Sequence, residues 1–195
     1  INTKGAIHYL TKKDMQENQK YLQIEKKQKK IVAFIIGGPN KHYGFSDSQI
    51  HSMFNKVKAL FTPDKFKIIV VPSFRTPDEV IKKAFNTFNF NHHVIKSVDK
   101  KAYLCALSIS DYIIVTCDST SMISEAALTG KPVYVATMKS FTTSGRFKKF
   151  YKQFNALGIT RELKDNIDIW SYDKLDEVNR IAPLIKEKMK SNGII

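Results

Sequence analysis

The residues best suited to chemistry form a short polar stretch, Asp118 to Glu125, directly after the apolar run Tyr112–Thr116. If a helix begins there, its first N–H groups are free to bind an anion. Glu125 comes four residues after Ser121, one turn deeper on the same face. Its carboxylate could accept hydrogen bonds from a ribose diol, while Ser119 and Ser121 hold a diphosphate. Ordinary helix capping by Asp118 or Ser121 is the alternative.

Two other segments place glycine or basic residues directly after apolar runs. Gly37 and Gly38 follow a run that ends at Ile36, and Lys41 comes shortly afterwards. Glycines let backbone N–H groups approach an anion closely. Arg75 stands just before a predicted helix, where a guanidinium could clamp a phosphate or carboxylate. A tight turn without a ligand, and a surface arginine beside a threonine N-cap, are the alternatives.

These segments can converge only if the surrounding elements form one sheet. Short β-rich runs alternate with helical patterns, which predicts an α/β, Rossmann-like three-layer domain with a mostly parallel sheet. In such sheets ligands bind at the carboxyl ends of the strands. The predicted strands cover residues 31–36, 67–71, 93–95, 112–116 and 132–136. The predicted helices cover residues 48–60, the segment after 76–77, and residues 102–109, 120–128, 146–157 and 175–190.

Residues 1–30 differ from the rest, because they are mostly polar and charged. We interpret them as a leader or inter-domain linker, in which Thr11 caps a helix that starts near Lys12 and the basic run from Lys26 to Lys30 closes the segment. Residues 31–195 are then the Rossmann-like domain that would bind the nucleotide diphosphate. Since the chain begins with Ile1 rather than Met, we expect it to be part of a longer protein.

The formal net charge of +14 could attract nucleic acid, but Lys supplies most of the cations and only four residues are Arg. Arg is the usual reader of bases and phosphates. A Lys-rich composition also follows from an A/T-biased genome, so nucleic acid is not the expected partner. No apolar stretch nears the roughly 20 residues that span a bilayer. We expect a cytoplasmic protein, with peripheral attachment at a membrane surface as an alternative.

No metal or bound cofactor is expected from the pattern of ligand residues. The two cysteines, Cys105 and Cys117, lack a metal spacing, and the five histidines are not spaced with Cys, Asp or Glu as metal ligands would be. His42 follows the glycine loop and could either reach a site there or serve as a structural histidine. The diphosphate and ribose contacts suggested above therefore concern a ligand or substrate and not a bound cofactor.

Several stretches together resemble a known family. They cover nearly the whole chain: residues 5–8, 36–42, 75–77, 118–126, 129–134, 145–147, 170–172 and 176–177. The sequence is similar to the family of the plant mitochondrial-fission factor named for its elongated-mitochondria mutant, which also has bacterial relatives. The block from Asp118 to Val133 is the most specific part of the resemblance.

The resemblance implies a GT-B glycosyltransferase-like fold, in which two Rossmann-like domains face each other across a cleft. This chain would be the C-terminal half, with a missing N-terminal domain as its partner. Similar transferases bind the diphosphate and ribose of a nucleotide sugar through a serine-rich turn and a following glutamate, here Ser119, Ser121 and Glu125. The sequence departs from the family at Phe74, where a basic residue is expected, and at Tyr151, where a His is expected.

The leading hypothesis is therefore the nucleotide-sugar-binding half of a glycosyltransferase-like protein, and the resemblance implies an enzyme of the GT-B type as one form of it. Catalysis would rest on helix N-termini and cations that stabilise the departing nucleoside diphosphate. The hypothesis requires Gly37, Arg75 and Ser121 to converge. The alternative is a non-catalytic scaffold that binds a partner protein, as in mitochondrial fission factors. The expected site consists of Gly37, Gly38, Lys41, Arg75, Ser119, Ser121 and Glu125.

Overall fold

Six parallel strands form the centre of the fold. The computed structural model describes residues 1–25, 28–142 and 145–194. The strands are β1 Lys30–Ile36, β2 Phe66–Pro72, β3 His93–Val94, β4 Tyr112–Thr116, β5 Val133–Ala136 and β6 Thr160–Glu162. They lie in the order β3-β2-β1-β4-β5-β6, and every adjacent pair is parallel. The predicted Rossmann-like α/β class is thereby confirmed.

Seven helices accompany the sheet within the described residues. They are α1 Lys12–Asn18, α2 Asp47–Leu60, α3 Asp78–Phe88, α4 Lys100–Ile109, α5 Thr120–Ala127, α6 Gly145–Ala156 and α7 Glu177–Ser191. Most bounds lie within two residues of the prediction. The sequence pattern missed β6, because this short edge strand contains the polar Arg161 and Glu162 and so shows no apolar run.

The two faces of the sheet carry separate cores, because alternate residues of each strand point to opposite sides. In β1, Val32 and Phe34 pack with α2 and α3. Ile31, Ala33 and Ile35 pack on the other side, with α1, α4, α5 and α6. Each central strand is buried on both faces, which explains why β1, β2 and β4 read as continuous apolar runs.

The strand order places a switch point between β1 and β4. From β1 the chain moves outward through β2 to β3, and it then returns to pair β4 with the opposite side of β1. The helices that follow β1 and β4 therefore lie on opposite faces of the sheet. The loops that lead to these helices diverge at the carboxyl ends of the two strands. Ligands of open α/β sheets bind in the crevice formed at this point.

The first 25 residues pack onto this domain. Thr11 caps α1 through a reciprocal bond pair with Asp14, as expected, but the helix ends at Asn18. Leu10 and Met15 are buried in the core beside α4. The backbone N–H of Lys4 donates to the buried Glu177 carboxylate at 2.6 Å. The division into residues 1–30 and 31–195 stays a prediction, and Lys26, Lys27 and Ile195 lie outside the described residues.

Membrane-spanning helices and clusters of metal-ligating side chains are both absent from the described ranges. Across residues 1–25, 28–142 and 145–194, no helix has both the length and the apolar character needed to cross a membrane. The same residues include no group of three or more His, Cys, Asp or Glu side chains placed to hold a metal ion.

Candidate functional site

A cavity of about 500 Å³ opens at the carboxyl edge of the sheet. Its size suits a ligand of small-molecule dimensions. Four of the predicted site residues line it, and they come from loops after two different strands: Arg75 after β2, and Ser119, Ser121 and Glu125 after β4.

A buried aspartate lies behind this cavity and ties three strand-end loops together. The Asp118 side chain has no exposed surface, and Arg75 Nη2 donates to its Oδ2 atom at 2.7 Å. The backbone N–H of Gly38 donates to the same oxygen at 3.1 Å, and the Thr116 hydroxyl donates to Oδ1 at 2.6 Å. Burial raises the pKa of Asp118, while the hydrogen bonds and the guanidinium act in the opposite direction. Asp118 is thus a structural centre of the site and does not cap α5.

The glycine loop after β1 differs from the sequence interpretation. Gly37 donates its N–H to the Thr116 hydroxyl at 2.8 Å, and Gly38 donates to Asp118. Both glycines are buried. Since both N–H groups are already bound inside the protein, they do not form the anion cradle that the sequence suggested.

The glycines allow a close approach between neighbouring loops. A Cβ atom added at Gly38 would lie 1.7 Å from the carbonyl oxygen of Arg75, and one at Gly37 would lie 2.1 Å from Asp118 Oδ2. Arg75 Nη1 in turn donates to the Gly38 carbonyl at 3.1 Å. Gly37, Arg75 and Ser121 therefore lie at the same edge of the sheet, but the glycines pack against Arg75 and Asp118 and are not among the residues that line the cavity.

The start of α5 matches the sequence interpretation more closely. Ser119 is the N-cap residue, and its side chain accepts from the N–H of Met122. Ser121 is exposed in the first turn and lines the cavity. The first N–H groups of a helix lack intrahelical acceptors, so those of Thr120 and Ser121 lie at an open helix start. Hydroxyl and amide donors are thus grouped where an anion could bind.

Glu125 lies one turn into α5 and is held by a tyrosine. The hydroxyl of Tyr103, from α4, donates to Glu125 Oε2. Burial raises the pKa of Tyr103 well above its usual value, so its hydroxyl remains a donor. This contact fixes the carboxylate in the cavity wall. No sequence pattern pointed to Tyr103, which is 22 residues from Glu125 and on another helix.

Two basic or titratable candidates lie away from the cavity lining. Lys41 is exposed in the loop after β1 and is not among the lining residues. The ring of His42 contacts Phe147, and its Nδ1 atom lies 2.7 Å from the Thr142 hydroxyl. Tyr151, at the position of the expected His, donates its hydroxyl to the Cys117 carbonyl and so supports the loop that carries Asp118.

One wall of the cavity was missed by the sequence analysis. Tyr9 and Asp14 of the leader line it, together with Phe74 beside Arg75. Tyr9 is 79% exposed and Phe74 is 93% exposed. Exposed aromatic residues at a cavity can stack on a planar ligand. Their only signal in the sequence was the departure at Phe74.

The charges that line the cavity are nearly balanced, although the chain as a whole is strongly basic. The lining includes two cations, Arg75 and Lys100, and three carboxylates, Asp14, Asp99 and Glu125. The positive charge of the chain is therefore not concentrated here. Binding of an anion would depend on directed hydrogen-bond donors at the start of α5 and on Arg75.

Similarity to one solved structure, a heptosyltransferase, supports the fold assignment. The chain aligns with ADP-heptose LPS heptosyltransferase II of Escherichia coli at 9% identity and a TM-score of 0.51, over 94% of this chain and 53% of that one. It also aligns with UDP-GlcNAc 2-epimerase from Neisseria meningitidis, in a structure bound to UDP-GlcNAc, at 16% identity and a TM-score of 0.46, over 92% and 42% of the respective chains. At such identities the similarity concerns the fold alone, which is of the GT-B glycosyltransferase-like kind.

Sequence comparison gives the family. Protein RP120 of Rickettsia prowazekii is 29% identical over 98% of this chain and 56% of its own length. Mitochondrial fission protein ELM1 of Arabidopsis thaliana is 27% identical over 99% of this chain and 46% of its own length. The chain thus spans about half the length of these curated relatives. The family model described as mitochondrial fission ELM1 matches residues 1–189, and the chain therefore belongs to the mitochondrial fission ELM1 family.

Proposed function

We propose that this domain binds the nucleoside diphosphate part of a nucleotide sugar, as one half of a glycosyltransferase-like protein. The observation that carries the proposal is the shared cavity: Arg75, Ser121 and Glu125 line it at the carboxyl edge of the sheet, next to the switch point. A guanidinium and an open helix start suit the two phosphates of such a ligand, and a carboxylate suits the ribose diol.

The diphosphate would lie at the start of α5. Open N–H groups there carry the positive end of the helix dipole, and Ser121 adds an exposed hydroxyl. Arg75 has five N–H donors, and its contacts with Gly38 and Asp118 engage one hydrogen on each of two nitrogens. Since its side chain is 42% exposed, the remaining donors can reach a phosphate without breaking the link to Asp118.

The ribose would lie against Glu125. An ionised carboxylate accepts hydrogen bonds only, and a ribose diol offers two donors that it can accept together. Tyr103 holds one carboxylate oxygen from behind, so the group is oriented before the ligand arrives. Orientation before binding lowers the entropy cost of association.

In a transferase, the same donors would stabilise the negative charge that develops on the leaving nucleoside diphosphate. The acceptor side and any catalytic base would belong to the part of the longer protein that this chain does not span. A nucleotide sugar is the substrate in this proposal, and the domain's own residues supply binding and electrostatic stabilisation.

The test is thermal unfolding of the chain with and without millimolar nucleoside diphosphates and their sugars. A ligand at about 100 times its Kd stabilises the fold by about 2.7 kcal/mol, which raises the Tm by several degrees. Glu125→Gln should remove most of the shift, whereas Glu187→Gln, an exposed residue on α7, should leave it intact. A folded wild-type sample without a shift for any nucleotide would refute the proposal.

A second candidate function is a scaffold for a partner protein. It is favoured by the family description and by exposed aromatic side chains: Phe74, Phe90 and Phe141 are 93%, 95% and 71% exposed. In this case the strand-end loops need bind no nucleotide. The absence of any nucleotide shift both here and in the longer protein would favour the scaffold.

A further inference from the structure

The cavity extends beyond the residues that a diphosphate and a ribose would use. Its far wall comes from the leader, through Tyr9 and Asp14. Neither residue has a role in the proposed function so far. The leader is anchored here, since Leu10 and Met15, which directly follow Tyr9 and Asp14 in the sequence, are buried in the domain core. A fixed wall beside an open cavity is a place for the remaining part of a nucleotide, the base.

Contacts along this wall give the order of its groups. Tyr103 binds Glu125, and the Tyr9 hydroxyl is close enough to Tyr103 to contribute to the raised pKa of that group. The ammonium of Lys100 lies 4.9 Å from the centre of the Tyr9 ring, and its charge also lowers the pKa of Asp14. The wall therefore runs from the ribose position at Glu125, past Tyr9, to Asp14.

Tyr9 presents an aromatic face that its own fold does not use. Its side chain is 79% exposed although the neighbouring Leu10 is buried. Lys100 approaches the ring as a cation over a π face, which holds the ring in place and leaves most of it open. Aromatic rings of this kind stack on nucleobases, with a large effect on affinity.

Asp14 presents a carboxylate oxygen that no described residue engages. Its Oδ2 atom accepts from the N–H of Thr11 at 2.8 Å and from the Thr11 hydroxyl at 2.6 Å. Among residues 1–25, 28–142 and 145–194, no hydrogen bond to Oδ1 is found. The side-chain hydrogen bond from Thr11 lowers the pKa of Asp14, so the carboxylate is ionised at neutral pH and acts only as an acceptor.

We propose that the leader forms the base-recognition part of the site, in which Tyr9 stacks on the base and Asp14 selects guanine. This inference rests on the proposed nucleotide site. Guanine presents adjacent N–H donors on its pairing edge, which suit the acceptor-only Oδ1 atom of Asp14 that Thr11 leaves open. Adenine and cytosine each place an acceptor beside the amino group, and uracil flanks its single N–H with two carbonyls, so an ionised carboxylate meets repulsion from all three.

The test is a titration of the 195-residue chain with the diphosphates of guanosine, uridine, adenosine and cytidine by calorimetry. Wild type should bind guanosine diphosphate most tightly. Tyr9→Ala should weaken that binding by about tenfold to a hundredfold, and Tyr9→Phe should retain it, because stacking needs only the ring. Asp14→Asn should reduce the preference for guanine by about tenfold, because an amide offers a donor as well as an acceptor.

Controls separate this inference from the proposal beneath it. Glu17→Gln removes an exposed carboxylate from the same helix and should change neither affinity nor preference. If wild type binds nucleotides but Tyr9→Ala and Asp14→Asn leave the affinities and their ratios unchanged, the leader has no role in base recognition and the nucleotide site stands. Preference for another base is likewise contrary to the inference. If no nucleotide binds at all, both proposals fail.

Discussion

Two loops leave the sheet side by side at the switch point, and they use their small residues in opposite ways. The loop after β1 turns Gly37 and Gly38 inward, where their N–H groups bind Thr116 and Asp118. The loop after β4 turns Ser121 outward at an open helix start. The first loop holds the site together, and the second faces the cavity. Small residues after a strand therefore indicate a site without telling which of them contact its ligand.

The largest effect expected from this contrast is at Gly38. Gly38→Ala would place a Cβ atom 1.7 Å from the Arg75 carbonyl oxygen, and backbone cannot give way as a flexible side chain can. We expect a loss of more than about 3 kcal/mol in the free energy of unfolding, measured by chemical denaturation. Gly145→Ala is the matched control, since nothing lies within 4 Å of its added Cβ. Equal stability of the two variants would show that the loops are not closely packed.

The next largest effect is at Arg75. Arg75→Met leaves the fully buried Asp118 carboxylate without its cation. Breaking a buried pair costs about 3–5 kcal/mol, and we expect about 2 kcal/mol here because the Arg75 side chain is 42% exposed and therefore screened. The double variant with Asp118→Asn should recover part of the loss.

The pH dependence of the Arg75→Met variant sharpens this test. Burial raises the pKa of Asp118 and Arg75 opposes that rise, so removal of Arg75 raises the folded pKa further. A raised pKa means that the charged carboxylate destabilises the folded state, and this cost disappears when the group is protonated. The stability difference between wild type and variant should be largest near neutral pH and should shrink on acidification. A difference that grew on acidification would contradict the role given to Asp118.

The fold was well predicted from the sequence because its signals are local. Apolar runs buried on both faces, Thr11 as a cap, and the serine-rich start of α5 all depend on neighbours within a few residues. The partners of Gly37 and Gly38 lie 79 and 80 residues away. No local pattern distinguishes a glycine N–H that binds a ligand from one that binds a distant side chain.

The leader wall was missed for the same physical reason. Tyr9 and Asp14 belong to a polar segment with little periodicity, and only tertiary packing through Leu10 and Met15 brings them to the cavity. Tyr103 was missed as well, because in the sequence it is one more apolar position of the helix α4. Residues on separate elements that share one ligand cannot be paired without the topology.

A smaller effect is expected at Ser119, which both supports the fold and faces the cavity. Its side chain caps α5 by accepting from Met122 N–H, and it also lines the cavity. Ser119→Ala should lower the free energy of unfolding by about 1 kcal/mol, the usual cost of a lost N-cap. Ser119→Asp should restore the cap yet weaken binding of a diphosphate, because it places a negative charge beside the anion. Unfolding and ligand titration of both variants check this.

The smallest effect on stability is expected at Ser121, where only ligand binding should respond. Ser121 is exposed at the second position of α5, and its side chain forms no hydrogen bond within residues 1–25, 28–142 and 145–194. Ser121→Ala should change the free energy of unfolding by no more than about 0.5 kcal/mol and weaken nucleoside diphosphate binding by about tenfold or more, the effect of one hydrogen bond to a charged group. Ser48→Ala is the matched control, an exposed serine at the second position of α2. If both variants bind alike, the β4 loop supports the fold only, and its contrast with the glycine loop disappears.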